Sequence, residues 1–279
     1  MIRITADSTA DIGDFSVKRN IALMPLNVIL GTEIYSDGVD ITPQDIFDFV
    51  SKTGVLPKTS APNVESYENF FGKFVAEGDI VIHLNISSKS SSSHENAREA
   101  AKKFGEKVFV IDSRALSGGQ GLLVLKAQDF VDGGMGADEV VSKINALVSK
   151  VNTSFVPDRL DYLYKGGRCS RMAMYGANLL KIHPLIEMED GQLVAEKKYR
   201  GGMDKCIAKY IEDLAVQYPE YDNTRCFITH SSADRELVDY AKKITAEKFS
   251  FRETIETVAG SVITGHCGRN TLGLLFIAE

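Results

Sequence analysis

The chain of 279 residues contains no apolar run that would span a bilayer, which takes about 20 consecutive apolar residues. It has no excess of positive charge either. Lys and Arg number 32 against 38 Asp and Glu, a formal net charge of −6. That balance argues against sequence-independent nucleic-acid binding and against a polybasic membrane surface. Cysteine is scarce: Cys169, Cys206, Cys226 and Cys267 form no C-x-x-C pair, so neither a disulfide framework nor a zinc cluster is expected. The start, MIRITADSTA, lacks the apolar core of a signal peptide and reads as a first strand. The expectation is a cytoplasmic protein with reduced thiols and no metal or cofactor.

Enzyme motifs are missing too. There is no G-x-S-x-G elbow and no phosphate-binding G-x-x-x-x-G-K-[ST] loop. GGQGLL and GGMGAD fail the dinucleotide fingerprint at the third glycine, and HENAR lacks the second histidine of a zinc-protease helix. A Ser–His pair could assemble across the fold, although no orienting carboxylate for His266 is evident.

The first half alternates strand-like and helix-like segments. IRITA, IALMPLNVIL, DIVIHLNI and KVFVID read as strands. ITPQDIFDFVSKTG carries a full set of helix signals: Thr42 as cap, Pro43 in the first turn, Asp45 reaching back and Gly54 at the end. PNVESYENFFGKFVAEG, capped by Asn63, SHENAREAAKKFG and GLLVLKAQDFVDGG read as further helices. The alternation predicts a wound, mainly parallel sheet. Beyond residue 151 the pattern changes. IHPLIEMEDGQLVAEKKYR is a hairpin turned at Asp190-Gly191, and helical and strand-like segments follow. The expected fold class is therefore α/β with two domains, a wound α/β domain over 1–151 and a mixed α+β domain over 152–279.

Ligands of wound sheets bind at the carboxyl ends of the strands. Here those junctions carry hydroxyls: Ser8 and Thr9, Thr59 and Ser60, Ser113, and six serines in the seven positions from Ser87 to Ser93. Several precede helices, whose free amides attract anions. The serine run thus reads as a hydroxyl-lined turn more than as a linker. The candidate basic residues lie in the second half, each beside glycine: Arg168 in YLYKGGRCSR, Arg200 in KKYRGG, and His266 and Arg269 in the turn TGHCGRN. The planar fork of arginine suits carboxylate and phosphate. These residues alone leave open a carrier, a module for another small anionic metabolite and a Ser/His hydrolase.

The segments DSTAD, TSAPN, ISSKSSSSHENA, LDYLYKGGRCSR and GHCGRNTLGL, in this order and over nearly the whole chain, resemble the DegV family. Its corresponding motifs are usually Asp-Ser-x-Ala-Asp, Thr-Ser-x-Pro, Ile-Ser-Ser-x-Leu-Ser-Gly-Thr, Lys-Gly-Gly-Arg and His-x-Gly-Pro-Gly. The resemblance implies two α/β domains holding a long-chain fatty acid between them. It further implies a separate fatty acid kinase that converts the presented carboxylate to an acyl phosphate, a non-enzymatic binding role for this chain, and transient membrane contact to exchange lipid. On this resemblance Thr59 and Ser91, with their neighbours Ser60 and Ser92, and His266 bind the ligand, while Arg168 and Arg200 contact the kinase or the phosphorylated head. Two departures stand out: Ser90 and Ser92 replace Leu and Gly, and Arg269-Asn270 replaces Pro-Gly, which would bring an extra cation to the head group.

Overall fold

The computed structural model describes residues 1–170 and 182–279; Arg171, which follows Arg168 in the basic segment, lies outside them. The fold is mixed α/β. Its parallel sheet runs in the order Ala22–Met24, Ile2–Asp7, Ile80–Asn85, Val108–Asp112. The two central strands are buried on both faces, with Ile4, Ala6, Ile82 and Leu84 on one and Thr5, Val81 and His83 on the other, as a sheet covered on both sides requires. IALMPLNVIL is not one strand. Pro25 divides it: Ala22–Met24 stays in the parallel sheet, and Asn27–Leu30 joins Glu33–Ser36 and Lys58–Ser60 in a small antiparallel sheet. A proline has no N–H to give a ladder, so the chain changes partners there.

The helix Pro43–Thr53 has the complete capping box between Thr42 and Asp45 and a left-handed Gly54 at its end. Asn63 caps Val64–Ala76 by accepting from the Ser66 N–H at 2.8 Å. The helix Ser117–Asp132 begins earlier than its apolar pattern suggests, at the glycines that failed the dinucleotide fingerprint. From Ser117 to Leu125 it is buried all round. It packs Leu122 and Leu123 into one core with Ile4 and Ile82 of the parallel sheet and with Phe227 and Leu275 of a later one.

That later sheet runs in the order Glu253–Val258, Arg225–Ser231, Thr271–Ile277, Val151–Asn152. A further sheet contains the hairpin Ile182–Glu189 and Gln192–Arg200 with Ser154–Phe155 and Cys169–Ser170. Asp190 and Gly191 both take positive φ, as a tight hairpin turn demands. The hairpin turn is tied to the serine-rich segment: the Ser87 hydroxyl donates to the Gly191 carbonyl at 2.6 Å, and Arg114 pairs with Asp190 at 2.7 Å.

The structure corrects the reading of TGHCGRN as a turn. His266 lies in a helix, Ser261–Cys267. Its β-branched residues and Gly265 are poor helix formers, yet the segment is stabilised from outside. Asp11 accepts from the Gly260 N–H and Asp37 from the Ser261 N–H, each at 2.8 Å, so two carboxylates hold the helix start.

Burial raises the pKa of Asp11 well above the ordinary carboxylate value, against the hydrogen bonds from Ser117 and Gly260 that lower it, and the Asp37 charge adds to the rise. Asp37 is raised as well, again through burial. Groups that bind protons more tightly when folded stabilise the fold fully below their unfolded pKa, and that contribution is lost as pH rises through the folded value. Urea midpoints are therefore expected to fall as pH rises above the titration range of exposed carboxylates. Asp11→Asn should flatten that decline; an undiminished slope in the variant would assign it elsewhere.

Candidate functional site

One cavity of about 270 Å³ gathers most of the residues singled out in the sequence. The first half supplies Thr59, Ser60, Ser90, Ser91 and Ser92, and the second supplies Arg168 and His266. Contact between the halves is direct: Thr59 Oγ1 lies 2.9 Å from His266 Nε2. Arg200 is not among the cavity's lining residues; it is exposed at the end of its strand. Arg269 also departs from expectation. Its guanidinium stacks 4.1 Å from the Phe47 ring centroid and donates to Gln44 Oε1 at 3.0 Å, so it is engaged with the Pro43–Thr53 helix and does not line the cavity.

The apolar wall was not anticipated. Leu26, Ile86, Leu116, Phe155, Leu163 and Leu193, joined by Val262, Ile263 and Leu275, line the same space. They come from eight separate segments, and only the folded chain brings them together. The alternation Phe227, Thr229, Ser231 against Thr271, Gly273, Leu275 along paired strands is the one sequence signal that could have indicated a shared face.

Several lining hydroxyls are turned into the protein. Thr229 bonds Thr257 at 2.7 Å, Ser231 donates to Thr264 at 3.0 Å, Thr271 donates to the Cys267 carbonyl at 2.9 Å and Ser117 donates to Asp11 at 2.5 Å. With these hydroxyls engaged, the side chains offer mostly carbon to the cavity. Ser90 and Ser92 make no side-chain hydrogen bond among the described residues. Thr59 and Ser91 keep capacity for a ligand beyond their contacts with His266 and Ser93.

His266 is neutral at pH 7. Burial, helped by the nearby Arg168 charge, lowers its pKa to about 4. Its Nδ1 is buried without a hydrogen-bond partner among the described residues. Gly166 explains the glycine pair before Arg168: a Cβ there would lie 2.8 Å from His266 Nδ1. The next residue, Gly167, ends the helix Asp161–Gly166 in the left-handed conformation. Arg168 Nη1 then donates back to the Gly166 carbonyl at 2.8 Å, which keeps the cation beside the histidine while the residue stays exposed.

The family model for DegV, described as an uncharacterised protein family, matches residues 1–279. The chain belongs to the DegV family. A DegV domain-containing protein of Clostridium acetobutylicum is 30% identical over 280 residues, covering 100% of this chain and 99% of its own. A fatty acid-binding protein of Thermotoga maritima is 30% identical over 279 residues, covering 98% and 96%. Among solved structures, a fatty-acid-binding DegV family protein from Thermus thermophilus superposes with a TM-score of 0.92 at 27% identity, covering 100% of this chain and 99% of that one. A DegV lipid-binding protein from Thermotoga maritima gives 0.88 at 29% identity, with the same coverage. Fatty acid binding is thus established for members of the DegV family.

The departures from the family motif have physical accounts. Asn270 stands where DegV proteins usually carry glycine and takes φ 57°, a left-handed conformation that asparagine tolerates better than most residues. Its Oδ1 also accepts from the Asp234 N–H at 3.1 Å. Ser90, where leucine is usual, lines the cavity with a smaller and more polar side chain.

Proposed function

We propose that this DegV protein binds a long-chain fatty acid in the cavity between its two halves and presents the head group to a separate fatty acid kinase, which forms the acyl phosphate. The observation that carries the reading is one cavity in which available hydroxyls, Thr59 and the serine turn, adjoin a wall of leucine, isoleucine and phenylalanine. Such a lining suits an amphiphile with a small polar head. Burying each methylene contributes about 0.8 kcal/mol, so roughly fourteen of them supply about 11 kcal/mol, more than the association cost of about 4 kcal/mol or above. In this reading Thr59, Ser60, Ser91, Ser92 and His266 form the head-group site. Arg168, exposed beside His266, and Arg200 serve the docked kinase or the phosphorylated product. The boundary of the two domains is proposed near Val151, and the buried thiols of Cys206, Cys226 and Cys267 suit a reducing cytoplasm. Lipid exchange would involve transient membrane contact.

The hydrolase alternative has less support. The His266 Nε2 that would serve as base is engaged by Thr59, and no carboxylate among the described residues orients Nδ1.

Denaturing extraction of the purified protein followed by lipid mass spectrometry tests the binding half. A stoichiometric fatty acid is expected, and a phosphorylated metabolite in its place would overturn the reading. With a cognate kinase and ATP, Arg168→Ala and Arg200→Ala should bind fatty acid nearly as well as the parent and form several-fold less acyl phosphate. Equal loss of fatty-acid affinity in both would put these arginines in the head-group site.

A further inference from the structure

The serine turn holds a hydroxyl that the head-group reading does not use. Ser90 lines the cavity beside Ser91 and is half-buried. The side-chain hydrogen bonds of the turn run through Ser87, Ser91 and Ser93, and none among the described residues involves the Ser90 hydroxyl. The backbone beneath it is tied down. The N–H groups of Ser90 and Ser91 donate to the Ser87 carbonyl at 2.9 and 3.2 Å, and the Ser87 N–H donates to the Ala115 carbonyl at 2.8 Å. The Ser87 hydroxyl adds its bond to the Gly191 carbonyl at 2.6 Å. Ser90 is thus carried at a fixed place on the cavity wall.

The other lining hydroxyls are in a different state. Thr59 and Ser91 have His266 and Ser93 as neighbours, and Ser60 accepts from Asn27 Nδ2 at 3.2 Å. Ser154 lies 2.8 Å from the Tyr210 hydroxyl, and the remaining ones near the strand ends are bonded within the protein. Thr153 has no partner among the described residues, but its oxygen is shut against the Ser117–Asp132 helix, where a Cβ on Gly119 would collide with it. Ser92 is exposed, so water serves it. Ser90 alone combines a half-buried place in the cavity with a hydroxyl that nothing among the described residues engages.

We infer that Ser90 is a specificity-determining residue for a fatty acid hydroxylated close to its carboxyl end, on the second or third carbon, and that the Ser90 hydroxyl pairs with the hydroxyl of that ligand. The inference rests on the reading proposed above, in which Thr59 and Ser91 hold the carboxyl group. Ser90 adjoins Ser91 in the chain and lines the same space, so the first carbons of a ligand seated on Ser91 pass it. A plain alkyl chain there takes water from the Ser90 hydroxyl and gives no hydrogen bond in return, a cost that a ligand hydroxyl removes. Each of two hydroxyls can donate or accept, so the pair forms without a charge on either side. A site that hydrogen-bonds a ligand hydroxyl discriminates against the analogue that lacks it. Leucine, usual at this position in the family, offers no such bond. The rest of the chain still meets the apolar wall of Leu26, Leu116 and Phe155.

Affinities of delipidated protein for hexadecanoic acid and for its derivatives hydroxylated on the second or the third carbon are compared at pH 7 by displacement of a fluorescent fatty acid. At least one derivative is expected to bind about fivefold more tightly than the plain acid. Both derivatives binding no more tightly than the plain acid would overturn the inference. Ser90→Ala removes the hydroxyl, keeps the backbone bonds of the turn and should abolish the preference. Ser90→Leu should reverse it, tightening the plain acid and weakening the derivative. A preference that survives in Ser90→Ala would take the role away from Ser90. Ser91→Ala separates this inference from the reading beneath it, since it should weaken all three ligands alike. If it weakens none of them, the head-group reading itself fails. If the plain acid binds, responds to Ser91→Ala and is outmatched by neither derivative, that reading stands and only the role of Ser90 falls.

Discussion

Gly121→Ala is expected to destabilise the fold by about 2 to 3 kcal/mol, the range of overpacking a filled core. Glycine to alanine inside a helix would ordinarily stabilise by about 1 kcal/mol, so the prediction runs against propensity. The reason is the packing of the Ser117–Asp132 helix. A Cβ at position 121 would lie 2.5 Å from the Ala10 carbonyl oxygen, 2.8 Å from Ile12 Cγ2 and 3.1 Å from the Phe227 ring. The first of these is backbone and cannot be relieved by a rotamer change. Ala10 follows the central strand, and the segment carries Asp11, which holds the His266 helix. Accommodation would therefore disturb the cavity as well as the core. Gly72, in the Val64–Ala76 helix, is the control: its Cβ would meet only the Phe104 ring, at 3.7 Å, an ordinary contact. Gly72→Ala should be neutral or stabilising. Urea denaturation of both variants checks the pair, and similar midpoints for the two would show that the close approach at Gly121 relaxes freely.

Thr59→Val and Ser91→Ala are each expected to weaken fatty-acid binding by about 1 to 3 kcal/mol, the cost of removing one hydrogen bond to the head group. The double variant should lose roughly 30-fold or more if the two act independently. Thermal stability should fall in Thr59→Val, which leaves the buried His266 Nε2 without its partner, and change little in Ser91→Ala. Ser91 is half-buried, on a turn whose anchor, the Ile86 N–H on Asp7, is untouched. Competition binding with a fluorescent fatty acid measures both. Parent-like affinity in the double variant would remove these hydroxyls from the site. A large loss in Thr59→Val with none in Ser91→Ala would place the head group against the His266 wall alone.

The sequence by itself determined much of the first half of the protein. Helix ends at Thr42, Gly54 and Asn63 were legible because capping is local: the groups that satisfy one another lie within a few residues. The buried strands and the Asp190-Gly191 turn were legible for a similar reason, since period and turn chemistry are local properties. The ordered set of hydroxyl and basic motifs was enough to indicate the family. What the tertiary structure decided is non-local. The His266 helix forms because Asp11 and Asp37, more than 200 residues away in the chain, hold its first amides. The glycines of GGQGLL resemble a failed nucleotide loop in sequence, yet their reason is close packing. Added side chains there would meet Thr229, Thr153 and the Ala10 carbonyl, none of them a sequence neighbour. The cations illustrate the same limit. Arg168, Arg200 and Arg269 look alike beside their glycines, but only Arg168 lines the cavity. Arg269 is held by Phe47 and Gln44, because a long side chain settles on whatever surface the fold brings within reach.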